Sequence, residues 1–365
     1  MGKVSDYACV VAKLRARIGL MRDSSTIDNM IKAPTLAESI NALSSTYHSE
    51  LVDIYSKTGD LQRVELQIFS DEVDNYKDIE KMLPEKSAAF LRVLMLKLEI
   101  ENLKSALRLW YSEAIRHHSI RYRASYLYKD TIVNEINWDG IINANSFSSL
   151  LEVLKDTPYF DIVSKYSYEA IASKGLFDLE IALDQYYFAV LFSSISKLNK
   201  TDREIAQKLY LVDVDLKNIL LLVRYGYYHD LDLEMLKRII LPYGKIWQEF
   251  EKALNMKASD ILVAMRRVVA NSYPEIRVEI DDIRRATDDL TTKEENAKQI
   301  LLIENYLAKM RKKEYTEMLV GENFSIGIVL AYFFLSSAED SRIRAILSAK
   351  FYKWSEDKIR EAIAR

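Results

Sequence analysis

A two-part pattern occurs three times in this chain. Its first part is an aliphatic residue followed by glutamate: Val64-Glu65, Leu179-Glu180 and Ile303-Glu304. Its second part is an acid, then a polar or basic residue three on, then an aliphatic: Glu99/Asn102/Leu103, Asp215/Asn218/Ile219 and Glu339/Arg342/Ile343. Glu65 to Glu99 is 34 residues, Glu180 to Asp215 is 35, and Glu304 to Glu339 is 35. The two parts are also offset together between copies, by 115 and 116 residues, then by 124 and 124. Matched spacing in every copy argues for an internal repeat of about 120 residues, and an internal repeat governs the whole fold. Three such units fill 365 residues, with expected divisions at 1–125, 126–245 and 246–365.

The units are expected to be helical. The chain has only 9 Gly and 5 Pro, together under 4% against roughly 12% in average usage. Few residues are available to punctuate regular structure. Leu, Lys, Glu, Arg and Ala, all good helix formers, are abundant. The fold class expected is all-α. The formal net charge of −3, from 51 basic and 54 acidic residues, carries no nucleic-acid footprint. The single cysteine, Cys9, rules out an intramolecular disulfide framework and suits a reducing compartment. Met1-Gly2-Lys3-Val4-Ser5-Asp6 lacks the apolar core of a signal peptide, and Asp6 breaks the myristoylation pattern. The longest apolar stretch, Phe324 to Leu335, falls short of the ~20 residues a membrane span requires. It reads as a buried helix.

Taken in order, Val10, Leu14, Ile18 and Met21 form the apolar stripe of a first helix. Its other face carries Lys13, Arg15 and Arg17, either solvated or set against an acidic partner helix. Leu36 to Leu43 is helical, and Leu43, Thr46 and Tyr47 resemble Leu154, Thr157 and Tyr159 in the second copy. Asp60 caps a helix running to about Met82, since its side chain can accept from a free backbone N–H. Pro84 ends that helix, and Ser87 to Leu109 follows with 3.6-residue periodicity. Arg116, His117, His118, Arg121 and Arg123 form a basic turn. The second copy starts near Trp138, with helices over Ser149–Leu154 and Phe177–Leu191. A capping box, Thr201 to Glu204, opens a helix to Tyr225 that Gly226 ends. Pro242-Tyr243-Gly244 marks the next boundary. The third copy has a charge-rich solvated helix within Glu275–Glu295, then helices over Lys298–Met318, Phe324–Leu335 and Glu339–Phe351. Ser355 caps the last one, with acids in its first turn.

The sequence offers little for chemistry. Neither a G-x-x-x-x-G-K-S/T nor a G-x-G-x-x-G phosphate loop occurs. H-E-x-x-H and C-x-x-C are absent, and His48, His117, His118 and His229 with one cysteine give no ligand cluster of usual spacing. No cofactor and no metal is expected. The repeated acids Glu65, Glu99, Glu180, Asp215, Glu304 and Glu339 are the candidates for general acid–base work. One acid in equivalent places of three copies is, however, what repetition of a fold produces. Their expected role is structural, along with Asn102, Asn218 and Arg342. Partners lie nine residues beyond the second acid of a copy, Arg108 and Arg224; in the third copy Ser348 stands at that place with Lys350 nearby, so the pairing is weaker there. A half-buried acid is tolerated when such a neighbour compensates its charge.

The stretches Phe90-Leu91-Arg92-Val93-Leu94-Met95-Leu96-Lys97-Leu98-Glu99-Ile100-Glu101-Asn102-Leu103-Lys104, Phe177-Asp178-Leu179-Glu180-Ile181-Ala182-Leu183-Asp184, Asp215-Leu216-Lys217-Asn218-Ile219-Leu220 and Phe324-Ser325-Ile326-Gly327-Ile328-Val329-Leu330-Ala331-Tyr332-Phe333 carry a family resemblance. From Tyr7 to Ile363 the chain resembles the C-type subunit of the archaeal and bacterial rotary A/V-type ATPase, the equivalent of the d-type subunit in the eukaryotic vacuolar enzyme. It departs from that pattern at Ser341-Arg342-Ile343-Arg344, where the family usually has Asn-Leu-Arg, and at Ala349-Lys350, where it has Gly-Lys. The resemblance implies a funnel of three similar helical domains about a pseudo-threefold axis. The funnel is expected on the cytoplasmic side of the membrane, seated on the rotor ring of proteolipid subunits and receiving the central shaft (D/F-type subunits). It transmits torque for ATP synthesis or hydrolysis coupled to H⁺ or Na⁺ transport, as a single copy in a hetero-oligomer, without catalysing a reaction itself. Tyr186-Tyr187-Phe188 and Tyr225/Tyr227/Tyr228 are candidate aromatic anchors for the ring, or core residues. The alternatives are a helical-repeat scaffold binding other proteins, and an enzyme built on an acid pair.

Overall fold

The computed structural model describes residues 2–21, 24–222, 233–253, 307–320 and 324–363, and there the chain is helical with no strand. The all-α expectation is met. The chain divides into two compact units, Met1–Asn199 with Ser336–Ile359, and Lys200–Leu335 with Arg360–Arg365.

The first unit is organised on the helix Glu85–Trp110. Pro84, with φ −56°, stands just before its first turn, where a missing N–H is harmless. Phe90, Leu91, Leu103, Leu107 and Trp110 are fully buried along it. Burying side chains of this size contributes roughly 1.5–3 kcal/mol each. The helix packs against Leu61–Glu80 and Phe177–Ser196, and Trp110 Nε1 donates to Ala144 O at 3.0 Å. Asp60 caps Leu61–Glu80 by accepting from Gln62 N. The first helix, Gly2–Met21, buries Val10, Leu14 and Ile18. Of its two expected outer-face environments, the acidic partner helix is the one present. Lys13 and Arg17 both pair with Asp78, at 2.5 and 3.0 Å. The basic turn at Arg116 follows a π-helical turn over Tyr111–Ile115, and His117 takes φ 56°. Tyr187 and Phe188 are buried, and Tyr186 lies edge-on to Tyr159.

The second unit holds the helices Lys200–Leu221, Leu233–Ile239 and Gly244–Ala253. The expected capping box at Thr201 is not the start of its helix. That helix already begins at Lys200, so Thr201 lies inside the first turn. Asp202 is buried and accepts from Ile326 N at 2.9 Å, so this carboxylate sits at the N-terminus of the helix Ile326–Phe351. A negative charge there complements the helix dipole. Residues 326 and 328–333 are buried. The stretch expected as two helices is one of 26 residues, because Leu335-Ser336-Ser337-Ala338 contains no breaker. Residues 326–335 fall in the second unit and 336–351 in the first. Ser355 Oγ accepts from Lys358 N at the start of the final helix, Glu356–Ile363. Among the described residues no helix is long and apolar enough to cross a membrane. The Glu275–Glu295 helix, Ile303-Glu304, Arg224, Gly226 and Tyr225/Tyr227/Tyr228 lie outside the described residues.

Candidate functional site

The acids of the repeated pattern occupy two kinds of place. Glu99 has no exposed surface. One of its oxygens accepts from Val133 N and Asn134 N, each at 2.7 Å. The other accepts from Asn134 Nδ2 at 2.6 Å and Tyr159 OH at 2.7 Å. One turn on, Asn102 Nδ2 donates to Tyr128 O at 2.8 Å. Burial, then the neighbouring Glu99 charge, pushes the Tyr159 hydroxyl far above its ordinary titration range, so it stays a donor.

Asp215 and Asn218 do the same work in the second unit. Asp215 accepts from Ile246 N at 2.9 Å and Lys245 N at 3.2 Å. Asn218 donates to Leu241 O and accepts from Leu241 N, at 3.0 and 2.9 Å. In both places an acid and an asparagine one turn apart bind the backbone of a later segment. Buried backbone groups need such partners, and here side chains of a long helix supply them.

The half-exposed acids face side chains instead. Glu180 accepts from Arg108 Nε and a terminal guanidinium nitrogen at 2.7 and 2.6 Å, a bidentate pair. Glu65 accepts from Ser348 Oγ at 3.3 Å. Arg108 and Ser348, the described residues nine past a second acid, therefore meet Glu180 and Glu65 and not the acids they follow. Arg108 is 56% exposed and Glu180 22%, so solvent screens the pair. We expect Glu180→Gln to destabilise by about 1 kcal/mol or less in urea unfolding.

Glu339 is half-buried and accepts from Tyr47 OH, and Arg342 lies near enough to favour its charge. Burial nevertheless raises its pKa. The buried acid in this helix is the next residue, Asp340, which faces buried His48 with Oδ1 3.5 Å from Nε2. The pattern placed Glu339 there and missed both residues. A signal was present in the loops. Thr46 and Thr157 donate to Leu43 O and Leu154 O, both at 2.7 Å, and accept from His48 N and Tyr159 N. By this register His48 takes the backbone place of Tyr159, while the Tyr47 hydroxyl makes to Glu339 the bond that Tyr159 makes to Glu99.

None of this resembles a catalytic centre. Four donors occupy Glu99, and neither it nor Asp215 reaches solvent. Among the described residues no His, Cys, Asp and Glu group could hold a metal ion. Fold and site together define an all-helical protein in which buried Glu99, Asp202 and Asp215 bind its own backbone.

Comparison with known proteins makes that class specific. The sequence pattern of the family described as ATP synthase (C/AC39) subunit matches residues 10–362. The chain belongs to that family. It is similar to the C subunit of the A-type ATP synthase of Methanocaldococcus jannaschii, 20% identical over 99% of this chain and 86% of the relative. It is likewise similar to that of Thermococcus gammatolerans, 22% identical over 99% and 90%, and of Methanosphaera stadtmanae, 20% over 94% and 84%.

Proposed function

We propose that this chain is the C subunit of an A-type ATP synthase or ATPase, a non-catalytic connector between the rotating shaft and the membrane rotor ring. The family match across nearly the whole chain carries the reading. The chemistry of the site agrees with it, because Glu99, Asp202 and Asp215 are bound to the fold's own backbone. Rotation driven against a load requires a stiff coupler, and helices of 26 residues whose buried acids bind later backbone segments suit that task.

In this reading residues 1–125, 126–245 and 246–365 are three copies of one unit, placed around an axis as a funnel. Glu65, Glu99, Asn102, Glu180, Asp215, Asn218, Glu304, Glu339 and Arg342 are its equivalent positions. Two contacts favour a cyclic order: Arg108 of the first copy binds Glu180 of the second, and Ser348 of the third binds Glu65 of the first. The partners are shaft subunits and the proteolipid ring, met from the cytoplasmic side.

The test is reconstitution. Vesicles holding the complete complex are expected to pump ions on ATP addition, and complexes assembled without this chain to hydrolyse ATP without pumping. Pumping that persists unchanged without the chain would overturn the connector role.

A further inference from the structure

The His48–Asp340 contact is unlike its counterpart. At Glu99 every donor and acceptor is matched. At Asp340 two titratable side chains, only 5% and 6% exposed, face each other at 3.5 Å, and neither ring nitrogen of His48 has a hydrogen-bond partner. Buried polar groups left without a hydrogen-bond partner are costly. The surroundings decide where charge can reside. Glu72 and Asp71 of helix Leu61–Glu80, and Glu339 of its own helix, lie near enough to disfavour a charge on Asp340. Arg344 is the opposing cation, itself 3.5 Å from Glu72. The ring of Tyr47 covers His48 at 4.0 Å between centroids. A carboxylate here would be a buried negative charge among three more acids.

We propose that His48 and Asp340 share one proton, and that this pair is a latch joining the segment around Thr46 to the Ile326–Phe351 helix, closed while the proton is held and weakened when it is lost. The proton resides on the Asp340 carboxyl, and a small closure of the 3.5 Å gap lets it donate to His48 Nε2. Nδ1 then carries the imidazole's own hydrogen. On deprotonation the proton goes to solvent and the pair acquires one negative charge. The latch lies one residue along from the Tyr47–Glu339 bond, with a titratable imidazole beside a phenol. It holds whether or not the chain connects a shaft to a ring.

Two shifts agree with this geometry. Burial raises the Asp340 pKa well above 3.8, and burial lowers His48 from 6.5 to about 4. A raised folded-state pKa gives stability that is complete below the unfolded value and lost as pH rises through the folded one. The lowered histidine acts in the opposite sense, opposing the fold only as pH falls below 6.5. Wild type therefore weakens relative to a neutral variant as pH rises from weakly acid to alkaline. The experiment is urea unfolding of the full chain and of Asp340→Asn between pH 5 and 9. Asparagine stays neutral and can still donate to Nε2. The wild-type midpoint is expected to fall relative to D340N with rising pH, so that D340N is the more stable at pH 9. Parallel profiles would overturn the latch. A second measurement does not depend on a variant folding: the ¹H NMR signal of the His48 ring, assigned through its contact with the Tyr47 ring, is expected to show no protonation between pH 8 and 5. A titration centred near 6.5 would overturn it equally.

Discussion

Glu99→Ala is expected to destabilise the first unit by about 4 kcal/mol or more, enough to remove most of a domain's net stability. The magnitude follows from what is stranded. Two backbone N–H groups, the Asn134 amide and the Tyr159 hydroxyl all converge on this carboxylate, and it has no exposed surface through which water could replace it. Each buried donor left without an acceptor costs roughly 1–3 kcal/mol. Breaking a buried charged network by removing one member typically costs roughly 3–5 kcal/mol. Urea unfolding followed through Trp110 and Trp138, both buried in the same unit, reads the effect. The order of effects also tests the account. Tyr159→Phe removes one donor of four and should lose about 1 kcal/mol. Glu99→Gln retains one acceptor oxygen but turns an NH₂ towards existing donors, and should fall between. A loss below about 1 kcal/mol for Glu99→Ala would show that the network does not hold the unit together.

The contrast between Glu99 and Glu180 marks how far the sequence could be read. Periodicity and the scarcity of breakers identify the helices, and the spacing of acids identifies positions of equal importance. Spacing does not distinguish a carboxylate that binds backbone from one that binds an exposed arginine. That difference depends on where a loop some 34 residues away returns, and a tertiary contact leaves no local pattern. The same limit explains Asp340. Glu339-Asp340 offers two adjacent acids, a helix turns them about 100° apart, and only the packing partner selects which one is buried. The division of the helix at Leu335 failed for a different reason. A change from apolar to charged composition suggested a boundary, whereas the helix passes from one compact unit into the other with no residue that would break it. Arg108 is expected from the sequence to compensate Glu99, nine residues earlier, as Arg224 repeats that spacing after Asp215, but it binds Glu180 instead.

Gly244→Ala should destabilise the second unit by about 3 kcal/mol, as the sum of two effects of similar size. The first is conformational. Gly244 has φ +84°, and an L side chain in the left-handed region costs roughly 1–2 kcal/mol. The second is steric. A Cβ built there lies 2.2 Å from Asp215 Oδ1 and 2.8 Å from its Cγ, so the carboxylate must leave. It then releases Ile246 N and Lys245 N, the first free amides of the helix Gly244–Ala253. Losing a side-chain cap at a helix start costs roughly 0.5–2 kcal/mol. Gly59 separates the two contributions. It has φ +64° with nothing within 4 Å of a built Cβ, so Gly59→Ala should show the conformational penalty alone. A double-mutant cycle then tests the mechanism. If alanine at 244 acts by expelling Asp215, Asp215→Ala should add much less in the Gly244→Ala background than in wild type, because the cap is already lost and the clashing group is gone. Strict additivity of the two substitutions, measured by urea unfolding, would mean that the glycine and the carboxylate act independently, and the close approach would then have no part in why the chain has glycine here.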